Sequence, residues 1–135
     1  MNHWIVKQEP SKYPFSLFFE EKKTIWDGVR NYQARNFLRA MQVGDEVLYY
    51  HSVEEKAVVG IAQVLKPAFP DPTSPKGEEW SSVLLGAKRP LPKPVTLEQL
   101  KADTRFSKLL LLRQSRLSVM PIPTNLFSAI VKLGT

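Results

Sequence analysis

The sequence predicts an α+β domain built on a small, strongly bent mixed sheet or barrel with flanking helices. Two observations carry this. Runs of strand composition and runs of helical period alternate irregularly, without the repeating strand–helix–strand order of a doubly wound sheet. The chain also has 135 residues, 43% of them hydrophobic, which suits one core and one domain over residues 1–135.

Trp4 to Gln8 reads as a first strand, ended by Pro10. Ser16 is positioned to cap a short helix through Leu17, Phe18 and Phe19. Ile25 to Arg30 reads as irregular, because Asp27-Gly28 is a turn signal. The clearest helix spans Tyr32 to Met41: Ala34, Phe37, Leu38 and Met41 form one apolar face, and Asn31 is its expected N-cap. Gly44-Asp45 then turns the chain. Glu46–Tyr50 and Ala57–Leu65 read as strands joined by a hairpin loop over Ser52–Lys56.

Pro67, Pro70, Pro72 and Pro75 predict a loop, followed by a short strand over Trp80–Leu85, and Pro90, Pro92 and Pro94 predict a second break. Thr96-Leu97-Glu98-Gln99 has the form of a capping box opening a helix toward Asp103. Leu117–Met120 reads as a strand stopped by Pro121. Thr124 is the expected cap of a last helix that turns Leu126, Phe127, Ile130 and Val131 inward, with Gly134 at its C′ position.

Composition excludes several chemistries. There is no cysteine, hence no disulfide, iron–sulfur cluster or thiol nucleophile, and two histidines cannot build a histidine-rich metal site. The opening residues hold no apolar run long enough for a signal peptide, and Leu109–Leu112 is far short of a membrane span. These features together predict a cytoplasmic protein with no membrane partner, no metal and no cofactor. The net charge of +6 is concentrated: residues 104–135 hold Arg105, Lys108, Arg113, Arg116 and Lys132 and no acid. That bias suits an anionic partner, the alternative being a merely solubilising surface.

No glycine-rich nucleotide loop and no nucleophile elbow occurs. His51 and Ser52 are adjacent, and adjacent strand residues point to opposite faces, which opposes a base–nucleophile pairing. Glu20-Glu21, Glu54-Glu55 and Glu78-Glu79 read as solvated surface. Two stretches hold more. Trp26 to Asn36 runs from a flexible turn into a helix start that offers free N–H groups to an anion, with Arg35 and Arg39 one turn apart on one face. The alternative is that Trp26 is core and the arginines only solubilise the helix. Arg113-Gln114-Ser115-Arg116-Leu117-Ser118 combines guanidinium forks with hydroxyls suited to phosphate or a base edge; a solvated loop is the alternative.

Together with Lys7-Gln8-Glu9-Pro10, Val43-Gly44-Asp45, Tyr50-His51-Ser52, Gly60-Ile61-Ala62 and Ala68-Phe69-Pro70-Asp71-Pro72-Thr73, these stretches resemble the EVE domain family of the PUA-like superfamily. The matching segments span nearly the whole chain in family order. The resemblance implies a compact bent β-barrel with packed helices, related to the YTH readers of methylated RNA. It implies a module that binds nucleic acid carrying a modified base, notably modified cytosine in DNA, with bacterial members associated with RNA modification.

By matching position, the resemblance places Lys7, Trp26, Asn31, Tyr32, Ser115 and Ser118 around the base, with Gln8 and Ser52 expected in the same pocket, and Arg30, Arg35, Arg39, Arg113 and Arg116 on the phosphates. Gln8 departs from the small hydroxyl usual after the lysine and brings an amide donor and acceptor. The loop between Pro72 and Trp80 is short for the family.

The implied mechanism is recognition without chemistry. Extruding a base from a duplex costs a few kcal/mol, and stacking on Trp26 or another aromatic returns roughly 1–3 kcal/mol. A single methyl then discriminates by about 10- to 200-fold. An unpaired strand avoids most of the extrusion cost, which keeps looped RNA open as a target. Two other readings stand beside it: an enzyme acting on a modified nucleotide with Lys7, Glu9 or His51 in acid–base roles, and a small-molecule sensor or interaction module using the same pocket. The oligomeric state stays open, with a monomer favoured.

Overall fold

The computed structural model describes residues 1–135. The elements in chain order are β1 (His3–Gln8), α1 (Phe15–Glu21), β2 (Lys23–Trp26), α2 (Tyr32–Ala40), β3 (Glu46–His51), β4 (Ala57–Pro70) and β5 (Ser81–Thr96). They continue with α3 (Leu97–Ala102), a 3₁₀ turn over Thr104–Phe106, α4 (Leu110–Arg113), β6 (Val119–Pro121) and α5 (Thr124–Leu133). The strands form one mixed sheet in the order β2-β5-β4-β3-β1-β6, in which only β1 and β3 run parallel. The α+β expectation is met, but the barrel is not closed: β2 and β6 remain edges. Helix α2 packs against β4, β5 and β6, so a helix rather than a strand ladder covers the interior.

Local signals and structure agree best where the signal is a cap or a period. Asn31 Oδ1 accepts the Ala34 N–H at 2.9 Å, and Ala34, Leu38 and Met41 are buried. Thr96 and Gln99 form the reciprocal capping box. The other two expected caps differ. Ser16 lies inside α1 behind Pro14, and Thr124 is the first residue of α5. Thr124 Oγ1 instead sits 3.1 Å from His3 Nδ1 and ties α5 to β1. Gly134 follows α5 with φ −88°, outside the left-handed region. A Cβ there would lie 3.0 Å from the Lys93 carbonyl, so glycine permits the close approach of the helix end to β5.

Pro72 and Pro75 lie in the expected loop between β4 and β5, whereas the prolines inside those strands mark bends rather than breaks. β4 continues through Pro67 to Pro70, with a register shift between Lys66 and Phe69 that takes Pro67 out of the ladder. β5 continues to Thr96: the register shift between Val58 and Gly60 sets Leu91–Pro94 in a bulge, where a missing N–H forfeits no ladder bond. Ile25 and Trp26, expected in an irregular stretch, are the end of β2 and pair with Leu84 and Val83. These bulges curve β4 and β5 around a core centred on Tyr49, whose ring meets Phe15, Phe18 and Trp26 at centroid separations of 5.2, 5.5 and 5.5 Å. Behind β1, Asp45 is buried and accepts from Trp4 Nε1 at 2.9 Å and from the Gln42 N–H at 3.0 Å, holding the β3 entry turn.

Candidate nucleic-acid interface

Three separate parts of the chain meet around a hollow of about 360 Å³. The end of β1 supplies Lys7, Gln8 and Glu9; the β3–β4 turn supplies Ser52 and Val53; the segment between α4 and β6 supplies Ser115, Arg116, Leu117 and Ser118. Backbone bonds hold them in place. The Lys7 N–H donates to the Ser118 carbonyl at 2.9 Å, and the Ser52 N–H to the Gln8 carbonyl at 2.9 Å. Val53 sits at φ 70°, a left-handed conformation that is sterically costly for a β-branched residue.

The polar chemistry of this hollow is directional. Lys7 Nζ donates to the Ser115 carbonyl at 2.8 Å and lies 5.9 Å from the Tyr50 ring centre. Burial of the lysine lowers its pKa from the ordinary value, because the charged form loses hydration. Gln8 Oε1 accepts the Glu9 N–H at 3.0 Å. That bond engages Oε1 as the acceptor and leaves the NH₂ without a partner in the protein, as a donor for a ligand. Lys7, the Gln8 amide and Arg116 thus present N–H groups, with the serine hydroxyls able to donate or accept. A ligand with carbonyl-type or anionic acceptors matches this lining.

A second cluster forms where α2 faces the β4–β5 connection. Asp71 is buried and accepts from the Gly28 N–H at 2.8 Å, from Arg30 Nη1 at 3.0 Å, and from the Thr73 N–H and hydroxyl at 2.6 Å each. Burial by itself would raise its pKa, but the Thr73, Gly28 and Arg30 bonds together outweigh that and hold the carboxyl at about 2. Arg30 Nη2 also donates to the Thr73 carbonyl and hydroxyl at 3.0 Å each. Arg35 Nη1 and Arg39 Nη2 both donate to the Glu79 carbonyl at 3.2 Å, and Arg39 Nε reaches Ser81 Oγ at 2.9 Å.

Between these arginines, Tyr32 stacks on Trp80 with centroids 5.1 Å apart and planes at 24°. The Arg30 guanidinium lies 5.5 Å from the Trp80 ring centre, and that of Arg35 lies 4.9 Å from Tyr32 and 5.6 Å from Trp80.

The structure therefore divides the residues that the sequence pointed to. Lys7, Gln8, Ser52, Ser115, Ser118 and Arg116 share the hollow. Tyr32, Arg30, Arg35 and Arg39 belong to the α2 cluster, and Asn31 caps α2. Trp26 is 5% exposed and packs edge-on against Tyr49 in the core. Arg113 is exposed, with Nε on the Ser107 carbonyl at 3.1 Å. His51 is occupied at both nitrogens: Nε2 accepts the Phe15 N–H at 3.0 Å and Nδ1 meets Glu55 at 2.5 Å. Glu9 pairs with Lys12 at 2.9 Å.

Sequence reasoning missed Asp71 and Trp80. Asp71-Pro72-Thr73 carries an Asx-turn signal that could have found the first; nothing local announces that Trp80 meets Tyr32.

Human thymocyte nuclear protein 1 is 32% identical over 165 aligned positions, which cover 98% of this chain and 73% of the human protein. The aligned span exceeds the 135 residues here, so the human protein has additional residues within it. The crystal structure of human THYN1 in complex with DNA containing 5-methylcytosine matches with a TM-score of 0.91 and 30% identity, over 99% of this chain and 98% of that one. A crystal structure from Agrobacterium tumefaciens matches with a TM-score of 0.96 and 37% identity, over 99% of this chain and 93% of that one. The EVE domain model matches residues 2–133, and the chain belongs to the EVE domain family.

Proposed function

We propose that this protein binds nucleic acid and recognises a modified base, modified cytosine in DNA or a modified base in RNA, without chemically altering it. The observation that carries this reading is the likeness over nearly the whole chain to human THYN1, whose structure was solved with 5-methylcytosine-containing DNA. The donor-lined hollow supplies a chemistry that fits. Lys7 and the Gln8 amide address acceptor atoms such as the O2 and N3 of a cytosine ring, while the exposed Arg116 addresses phosphate. The engaged nitrogens of His51 and the pairing of Glu9 with Lys12 favour binding over acid–base catalysis.

The test is a binding screen at one salt concentration with DNA and RNA strands, plain and singly modified, single- and double-stranded, followed by mass analysis of the recovered strands. The expected result is a preference for one modified base of roughly 10- to 200-fold with unchanged strand masses. Equal affinity for all strands, or a mass change, overturns the reading.

A further inference from the structure

Tyr32 is 67% exposed, an unusual setting for a tyrosine that makes no hydrogen bond to hold it there. One of its faces is covered by Trp80, which is itself only 8% exposed. Trp80 is held rigidly: its indole N–H donates to Glu78 Oε1 at 2.7 Å, and the Arg30 and Arg35 guanidinium groups lie beside its ring. The Arg35 guanidinium is nearly as close to Trp80 as to Tyr32, which places it alongside the stacked pair and not across the far face of Tyr32. That far face is open. A flat aromatic surface is thus displayed to solvent on a support already ordered by Asp71 and the arginines, so little rotamer freedom remains to be lost when something stacks on it.

We propose that the Tyr32–Trp80 pair is a second nucleic-acid subsite, an aromatic platform on which an unpaired base of the bound strand stacks, separate from the hollow around Lys7. This rests on the function proposed above and adds a strand contact to it. The occupant is a nucleobase because every base has a π-face that an aromatic platform can take regardless of sequence. The nearby charge argues against a phosphate-only site. Arg30 is paired with Asp71, and Glu78 and Glu79 lie beside the remaining arginines, so the open feature is the ring and not a free cation. Deoxyribose and ribose strands offer the same base face, and the experiment carries both.

The test compares unaltered protein with Tyr32→Phe and Tyr32→Leu. Binding is measured to a modified single nucleoside, and to single-stranded DNA and RNA carrying that base, over a series of salt concentrations. Leucine keeps apolar contact with Trp80 but removes the π-face. Tyr32→Phe is expected to bind strands as the unaltered protein does, and Tyr32→Leu to lose roughly 5- to 150-fold for at least one strand type. The slope of affinity against salt should stay the same, because stacking releases no counterions. Nucleoside binding should not change in either variant.

Equal strand binding by Tyr32→Leu, or a parallel loss of nucleoside binding, overturns the platform while leaving the function standing. Failure of the unaltered protein to bind any strand overturns both. Should Tyr32→Leu not fold, Tyr32→Trp decides: its larger face is expected to tighten strand binding, and unchanged affinity overturns the platform.

Discussion

The hollow at the end of β1 and the arginine face of α2 are built from the same residue types, long cations beside serines and threonines, and the fold uses them in opposite ways. Around the hollow, Arg116 makes no side-chain bond within the protein, Ser115 stays exposed, and the Gln8 NH₂ has no partner in the protein. At α2, Arg30 just before the helix and Arg35 and Arg39 on it reach across to residues 71–81 and bond Asp71, Thr73, the Glu79 carbonyl and Ser81. They act as struts that order the β4–β5 connection and bring Trp80 to Tyr32. Cation type and spacing therefore do not identify a phosphate contact; the partner of each guanidinium does.

The largest expected effect comes from a residue that belongs to neither region. Trp26→Ala removes an indole packed on Tyr49 and should destabilise by about 3–5 kcal/mol, seen as a lowered denaturation midpoint. A variant that kept its stability but lost base binding would return Trp26 to the site.

Asp71 tests the strut side next. Asp71→Asn leaves the Arg30 guanidinium without its charge partner and should cost ~2–3 kcal/mol. The unaltered protein should lose this stabilisation in acid. Its folded pKa, about 2, is depressed below the ordinary 3.8, so the stabilisation is complete above pH 3.8 and is lost as the pH falls toward 2. The Asp71 share of that loss amounts to ~2 kcal/mol, and Asp71→Asn should lack it. Equal acid sensitivity in both proteins would remove Asp71 from the account.

The smallest effects separate the two regions most directly. Arg35→Ala should lower stability by ~1–2 kcal/mol through its lost bond to Glu79 and its lost ring contacts. It should leave the salt slope of strand binding unchanged. Arg116→Ala should do the reverse, shifting stability by no more than ~0.5 kcal/mol while reducing the salt slope by about one unit. The opposite pairing of outcomes would mean that Arg35 touches phosphate and Arg116 does not.

The readable parts of the fold were those whose causes lie within a few residues. The face of α2, its Asn31 cap, the Thr96–Gln99 capping box and the Ser52–Lys56 turn each depend on neighbours at most one helical turn or one hairpin away. The expectations that missed had distant causes. Prolines 67, 92 and 94 break a strand only if the ladder needs their N–H, and register shifts between β4 and β5 decide that. Thr124 resembles a cap until His3, from the other end of the chain, takes its hydroxyl. Within the site, Lys7, Gln8, Ser52, Ser115 and Ser118 were singled out through the family resemblance and do meet. Trp26 did not join them, since an indole next to a turn reads alike whether it lines a pocket or fills a core.

By itself the sequence determined the α+β class, the start of α2, the excess of cations near the C-terminus and the family, because each is a property of residue order or composition. Only the tertiary structure decided which cations remain available and which aromatic is displayed. Asp71, Glu79 and Trp80 approach α2 from about forty positions further along the chain, so the hydrogen-bond partner of an arginine and the open face of a ring exist only once β4 and β5 have bent around the core.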